Sequence, residues 1–87
     1  MSPSISVIMP AYNAERTIEL ALRSIRMQTI AEQIEILVID GGSTDATREI
    51  ARQYGAVILE NPHRLPEPAK LIGIQRAKGR YIIEQDT

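Results

Sequence analysis

Ile34-Glu35-Ile36-Leu37-Val38-Ile39-Asp40-Gly41-Gly42-Ser43-Thr44-Asp45 is the stretch on which the fold turns. Its first six residues are mostly apolar on both faces and rich in β-branched side chains, the pattern of a strand buried on two sides. The run stops at a carboxylate followed by two glycines. Ser43 or Thr44 then caps a helix, with Asp45 in the first turn, where a negative charge is favoured. Ile50, Ala51 and Tyr54 give that helix an inward face, and Gly55 ends it.

The same alternation extends in both directions. Upstream, Ile5-Ser6-Val7-Ile8-Met9 reads as a buried strand ended by Pro10. Asn13 caps a helix over about 14–29, whose Ile18, Ala21, Leu22 and Ile25 recur at helical spacing. Downstream, Ala56-Val57-Ile58-Leu59 is a third strand and 61–68 a loop. Pro68 opens a third helix running to about Lys78 before Gly79, and Tyr81-Ile82-Ile83 begins a fourth strand. The order β-α-β-α-β-α-β, with strands apolar on both faces, predicts an α/β fold with a parallel sheet covered on both sides.

The chain has 87 residues, 44% hydrophobic and 24% charged, with a formal net charge of -1. That is globular composition without the basic field a nucleic-acid partner requires. The aromatics are three tyrosines, too few for base-stacking platforms on single strands. Cysteine is absent, which removes disulfides, thiolate nucleophiles and Cys-based zinc sites and fits a reducing, cytoplasmic setting. No apolar run approaches the ~20 residues that span a bilayer. Met1-Ser2-Pro3-Ser4 lacks the basic and apolar regions of a signal peptide.

In open α/β sheets, ligands bind at the carboxyl ends of the strands. Four segments reach that edge: 10–13, 40–45, 61–64 and 84–87, and the unusual polar residues gather in them. Asp40 leaves its strand toward the crevice, and the glycines after it let backbone approach a ligand closely. A plain turn with a helix cap accounts equally for Ser43 and Asp45, but not for Asp40. Glu84 and Asp86 share one strand face and suit a hard divalent cation bridging a diphosphate; they also suit solvated residues at a terminus. Lys70, early in the third helix, calls for a nearby anion. Arg64 suits a phosphate, whereas His63 beside it reads as incidental. The phosphate loops G-x-x-x-x-G-K-[ST] and G-x-G-x-x-G are both missing, which disfavours dinucleotide-binding oxidoreductases. A Gly-rich basic loop of the nucleotidyltransferase kind is also missing after the first strand. A structural module self-associating through the open edge of its last strand is the competing class.

Ser6-Val7-Ile8-Met9-Pro10-Ala11-Tyr12-Asn13 resembles the opening strand and P-x-Y-N turn of family 2 glycosyltransferases. Residues 35–47 resemble their second signature, V-[DV]-D-[DG]-G-S-T-D-x-T. Gly73, Ala77, Gly79, Tyr81-Ile82 and Asp86 resemble their G-x-x-x-A-x-G-x-Y-I-x-x-x-D segment. The resemblance implies the Rossmann-like, three-layer half of a GT-A fold. It further implies inverting transfer from a nucleotide-diphosphate-sugar, UDP-sugar favoured, to a glycan, lipid or protein acceptor. By the same resemblance, Pro10, Ala11, Tyr12 and Asn13 line the nucleoside pocket, with Asp40 and Gly42 at the base or ribose. Lys70 stands near the phosphates, and Asp86 is the first carboxylate holding Mn²⁺ or Mg²⁺. The general base is expected beyond Thr87, so the 87 residues read as a truncated donor-binding portion, inactive alone, of a longer protein at the cytoplasmic face of a membrane. Two departures stand out: Gly41 replaces a frequent second Asp, and Ala69-Lys70-Leu71 replaces Ala-Arg-Asn.

Overall fold

The computed structural model describes residues 3–28 and 33–87. Seven elements follow one another: β1 (Ile5–Ala11), α1 (Glu15–Arg26), β2 (Ile34–Asp40), α2 (Thr47–Gln53), β3 (Val57–Glu60), α3 (Pro66–Arg76) and β4 (Tyr81–Glu84). All strand pairings are parallel, in the order β3-β2-β1-β4. Helices cover both faces of β1 and β2, as these doubly apolar strands require, whereas all four residues of β4, expected to be covered likewise, are exposed. Val7 and Met9 of β1 and Ile36 and Val38 of β2 pack with Ile18, Leu22 and Ala51 of α1 and α2. Ile8, Leu37 and Ile39 pack on the other face with Ala69 of α3. Each Val, Leu, Ile or Met side chain so withdrawn from water contributes about 1.5–3 kcal/mol.

Several boundaries differ from the sequence expectation, each for a physical reason. β1 runs through Pro10 to Ala11. The N–H of Gln85 donates to Ile8 on the β4 side, and β4 ends at Glu84, so Pro10 faces the side where no ladder bond is lost. α3 begins at Pro66 rather than Pro68; Pro66 takes the first helical position, where an N–H has no intrahelical partner. It ends at Arg76 rather than Lys78. The next free N–H groups are claimed across the sheet, Lys78 donating to the Glu35 carboxylate at 2.6 Å and Gly79 to Ser6 Oγ at 2.7 Å. β3 starts one residue later than expected, and α1 ends at Arg26, short of the expected end near 29, a position that itself lies outside the described residues.

The buried Ser6 hydroxyl, an oddity in an apolar strand, thus donates to Glu35 and accepts from Gly79. A Cβ at Gly79 would lie 2.5 Å from the Ser6 backbone nitrogen, so no side chain fits there. Gly79→Ala is expected to cost about 1–3 kcal/mol, the usual scale of overpacking. Urea unfolding checks this as a lower midpoint with an unchanged slope.

Candidate functional site

The chain leaves β1 for β2 and β3 on one side and returns for β4 on the other. Strand order therefore reverses between β1 and β4, and a crevice opens there at the carboxyl ends. Pro10 and Ala11, Asp40, Asn61, and Glu84 to Thr87 all stand on this one rim.

The Asp40 side chain does not extend outward as the sequence suggested. It is only 2% exposed and folds back into its own turn. Oδ2 accepts the N–H groups of Gly42 (3.0 Å) and Ser43 (2.9 Å), and Oδ1 accepts the Ser43 hydroxyl. Arg48 Nε stands 3.9 Å from Oδ2. Gly42 has φ +96°, a left-handed turn position that a side chain would strain.

The expected caps are also redistributed. Asn13 does not cap α1. It sits at φ +47°, donates its N–H to Ser43 Oγ (2.9 Å), and accepts the Thr44 N–H on Oδ1 (2.8 Å). Neither Ser43 nor Thr44 caps α2, which begins at Thr47. Instead the two helix starts serve each other. The N–H groups of Ala14 and Glu15 donate to Thr47 Oγ1 (2.8 Å) and Asp45 Oδ2 (3.2 Å), while the Ala46 N–H donates to the Glu15 carboxylate (3.1 Å). The Ser-Thr-Asp-x-Thr stretch is thereby a brace between the 10–13 turn and the 40–45 turn.

Burial is the largest influence on the Asp45 carboxyl and favours its neutral form. Hydrogen bonds from the Thr47 hydroxyl and N–H and from the Glu15 N–H together outweigh it and hold the pKa below the ordinary value. A depressed carboxyl stabilises the fold above its unfolded-state pKa, roughly 4, and loses that contribution as pH falls through the folded value. Thermal melts between pH 7 and pH 3 are expected to fall less steeply for Asp45→Asn than for the natural chain.

Residues 61–65 complete the rim. Asn61, 4% exposed, donates its amide to Leu65 O (2.8 Å) and accepts the His63 N–H (3.1 Å). This holds Arg64 at φ +62°. The Arg64 guanidinium lies 4.1 Å from the centre of the Tyr12 ring, and its Nε donates to Gly41 O at 3.3 Å. The sequence offered Arg64 only as a phosphate contact, because neither its left-handed backbone nor its reach to Tyr12 leaves a local signature.

Three clefts run along the rim. A volume of about 810 Å³ lies between the 40–42 turn, Arg48 and residues 60–65. A smaller one of about 110 Å³, lined by Pro10, Tyr12, Arg64 and Pro66, adjoins it at Asn61, Arg64 and Leu65. A third of about 550 Å³ adjoins that at Pro10 and Pro66 and is lined further by Lys70, Glu84, Asp86 and Thr87. Through these shared residues the three clefts follow one another along the rim from Asp40 to Asp86. Lys70 has its expected anion, Glu84, at 3.2 Å. The Asp86 carboxylate accepts no hydrogen bond and joins no ion pair among the described residues. No group of three or more His, Cys, Asp or Glu able to hold a metal occurs among them.

The family model described as glycosyl transferase family 2 matches residues 6–87. The chain belongs to this family. Family 2 membership agrees with a solved mannosyltransferase from Pyrobaculum calidifontis in complex with GDP-mannose and Mn²⁺, at TM-score 0.85 and 26% identity, covering 99% of this chain and 28% of that one. Glucosyl-3-phosphoglycerate synthase from Mycobacterium tuberculosis, solved with Mn²⁺ and UDP, superposes at TM-score 0.73 and 30% identity, covering 97% and 33%. Glycosyltransferase AglE of Haloferax volcanii is 34% identical over 92% of this chain and 29% of its own. The parallel sheet with helices is the α/β, GT-A architecture of the two solved glycosyltransferases, and the chain spans about a third or less of the length of all three relatives.

Proposed function

We propose that these residues form the donor-binding portion of an inverting glycosyltransferase, holding a nucleotide-diphosphate-sugar along the rim clefts. The carrying observation is the succession of three clefts sharing wall residues along the carboxyl ends of the strands, from the 40–42 turn past Tyr12 to Asp86 at the β1/β4 switch point. The nucleoside lies at the Tyr12 end, between the 10–13 and 40–45 turns. The diphosphate lies toward Lys70, whose ammonium is tethered by Glu84 and is half-exposed to the cleft. Ligands named for the structural relatives, UDP with Mn²⁺ or GDP-mannose with Mn²⁺, support this class of donor, UDP-sugar being favoured.

The site fits a hard divalent cation in kind. Asp86 presents unengaged carboxylate oxygens beside the phosphate end, the donor type that Mg²⁺ and Mn²⁺ prefer. One carboxylate does not fill such a coordination sphere; diphosphate oxygens and water fit the remaining positions. When bound, the ion supplies charge neutralisation to the departing nucleoside diphosphate. The chain's own residues bind and orient the donor. No residue here takes the role of general base, and the 87 residues bind donor without transferring sugar to the acceptor hydroxyl. Calorimetric titration tests this: UDP is expected to bind more tightly with Mn²⁺ than without it. A folded sample that binds UDP identically with and without Mn²⁺ overturns the proposal.

A second reading, self-association, is favoured by β4. Its four residues are exposed, and nothing among the described residues pairs with its outer edge. The N–H groups of Tyr81 and Gln85 donate to β1, so those of Ile82 and Glu84 face outward. Two copies paired antiparallel about Ile82 bring Arg80 opposite Glu84 and Lys78 opposite Asp86, a complementary charge pattern. Sedimentation is expected to show a dimer that salt weakens; a monomer at all concentrations contradicts it.

A further inference from the structure

We propose that Glu35, acting with Ser6 at the edge of the sheet opposite the crevice, is a positioning residue for the metal end of the donor site: it sets the register of β4 on β1, and with it the height at which Asp86 stands on the rim. This rests on the donor-site reading above, with Asp86 beside the diphosphate. Little else chooses that register. Tyr81, Ile82 and Ile83 are 62%, 43% and 48% exposed, so burial does not select the pairing. A slip of one residue would exchange the two faces of the strand, but a slip of two, about 7 Å along it, preserves them. Ion pairing does not select it either. Lys70 meets Glu84 at 3.2 Å, and a two-residue slip toward the amino edge offers it Asp86, another carboxylate, in the same place.

The contacts at the far edge do discriminate. One oxygen of the Glu35 carboxylate, Oε2, accepts both the Ser6 hydroxyl and the Lys78 N–H, the latter at 2.6 Å. Ser6 Oγ in turn accepts the Gly79 N–H at 2.7 Å. Ser6 is wholly buried, so a bond lost there is not replaced by water. Residues 78 and 79 are thus tied to β1 and β2 just before β4 begins at Tyr81. The tie is also steric. A Cβ at position 79 would lie 2.5 Å from Ser6 N and 2.6 Å from Ser6 Oγ. A two-residue slip brings Ala77 or Tyr81 to that place, and each carries the Cβ that the space excludes. At the rim end the Thr87 hydroxyl donates to Pro10 O at 3.2 Å, a part-buried contact between neutral groups. Bonds to a carboxylate are about twice as strong as such neutral ones, so the far edge governs the register. Asp86 follows Glu84 by two residues and takes its height from that strand.

The test titrates the whole chain with UDP, with and without Mn²⁺. The natural chain is expected to gain affinity from Mn²⁺. In Glu35→Ala that gain is expected to fall by about tenfold or more, the scale on which loss of a metal site's supporting groups weakens it, while metal-free UDP affinity is unchanged. Glu35→Gln is expected to restore the gain, because one amide oxygen can accept both bonds that Oε2 accepts. Cross-strand nuclear Overhauser contacts read the register itself: Tyr81 against Ile5 in the natural and Glu35→Gln chains, weakened in Glu35→Ala. Should Glu35→Ala fail to fold, Glu35→Asp, which keeps the charge and shortens its reach by one methylene, replaces it with the same expectation. A folded variant that keeps the full Mn²⁺ gain overturns the proposal while the donor reading stands. Equal loss of UDP affinity with and without Mn²⁺ also overturns it, since that reports general damage rather than a displaced Asp86. A natural chain with no Mn²⁺ gain ends both.

Discussion

Asp40→Ala is expected to lose about 3 kcal/mol or more of folding stability, because it strips partners from two backbone N–H groups and a hydroxyl at once. A donor left buried without a partner costs about 1–3 kcal/mol, and a small domain has little to spare. Ser43 links onward to Asn13, so the damage reaches both turns of the rim. Loss of nucleotide binding in this variant therefore reports a collapsed turn before it reports a lost ligand contact. Asp40→Asn keeps one acceptor oxygen and is expected to fall between. Urea midpoints for the three chains check the order; an Asp40→Ala chain as stable as the natural one contradicts the turn described here.

Asp86→Ala is expected to do the opposite, leaving stability unchanged and removing the metal-dependent part of diphosphate binding. Its carboxylate is exposed and holds nothing in the fold, so folding gains nothing from it. Loss of even an outer partner of a metal site costs roughly 10–100-fold in affinity, and a direct ligand is worth at least that. Titration of UDP with Mn²⁺ is expected to fall to the metal-free value in Asp86→Ala, with an unchanged melting temperature. Lys70→Ala is a contrasting control, because it removes a charge near the phosphates and frees Glu84 without touching Asp86.

These two carboxylates show what could be read from the sequence and what could not. Element order and the parallel sheet follow from runs such as 34–39, whose apolar residues face both ways, and from glycines at 55 and 79 that stop helices or admit close approach. That Asp40 and Asp86 stand on one rim follows from the same order. Which way Asp40 turns does not follow, because its partners are backbone N–H groups that any Gly-Gly-Ser segment carries. Asn13 was legible as a helix cap and Asp45 as a first-turn charge, but not the brace they form with Thr47 between the two helix starts; that depends on two turns 30 residues apart meeting in space. Arg64 was least legible of all. Its left-handed backbone is imposed by Asn61, and the room for its side chain by the absence of one at Gly41.

Paramagnetic broadening of amide resonances by Mn²⁺ in the presence of UDP tests the central claim most directly, since it falls off steeply with distance from the ion. The account expects UDP-dependent broadening at Gln85, Asp86, Thr87 and Lys70, with the amides of Ser4, Ile34 and Lys78 at the far edge of the sheet left sharp. Broadening centred on that far edge, or broadening indifferent to UDP, contradicts a metal-bound diphosphate at the β1/β4 switch point.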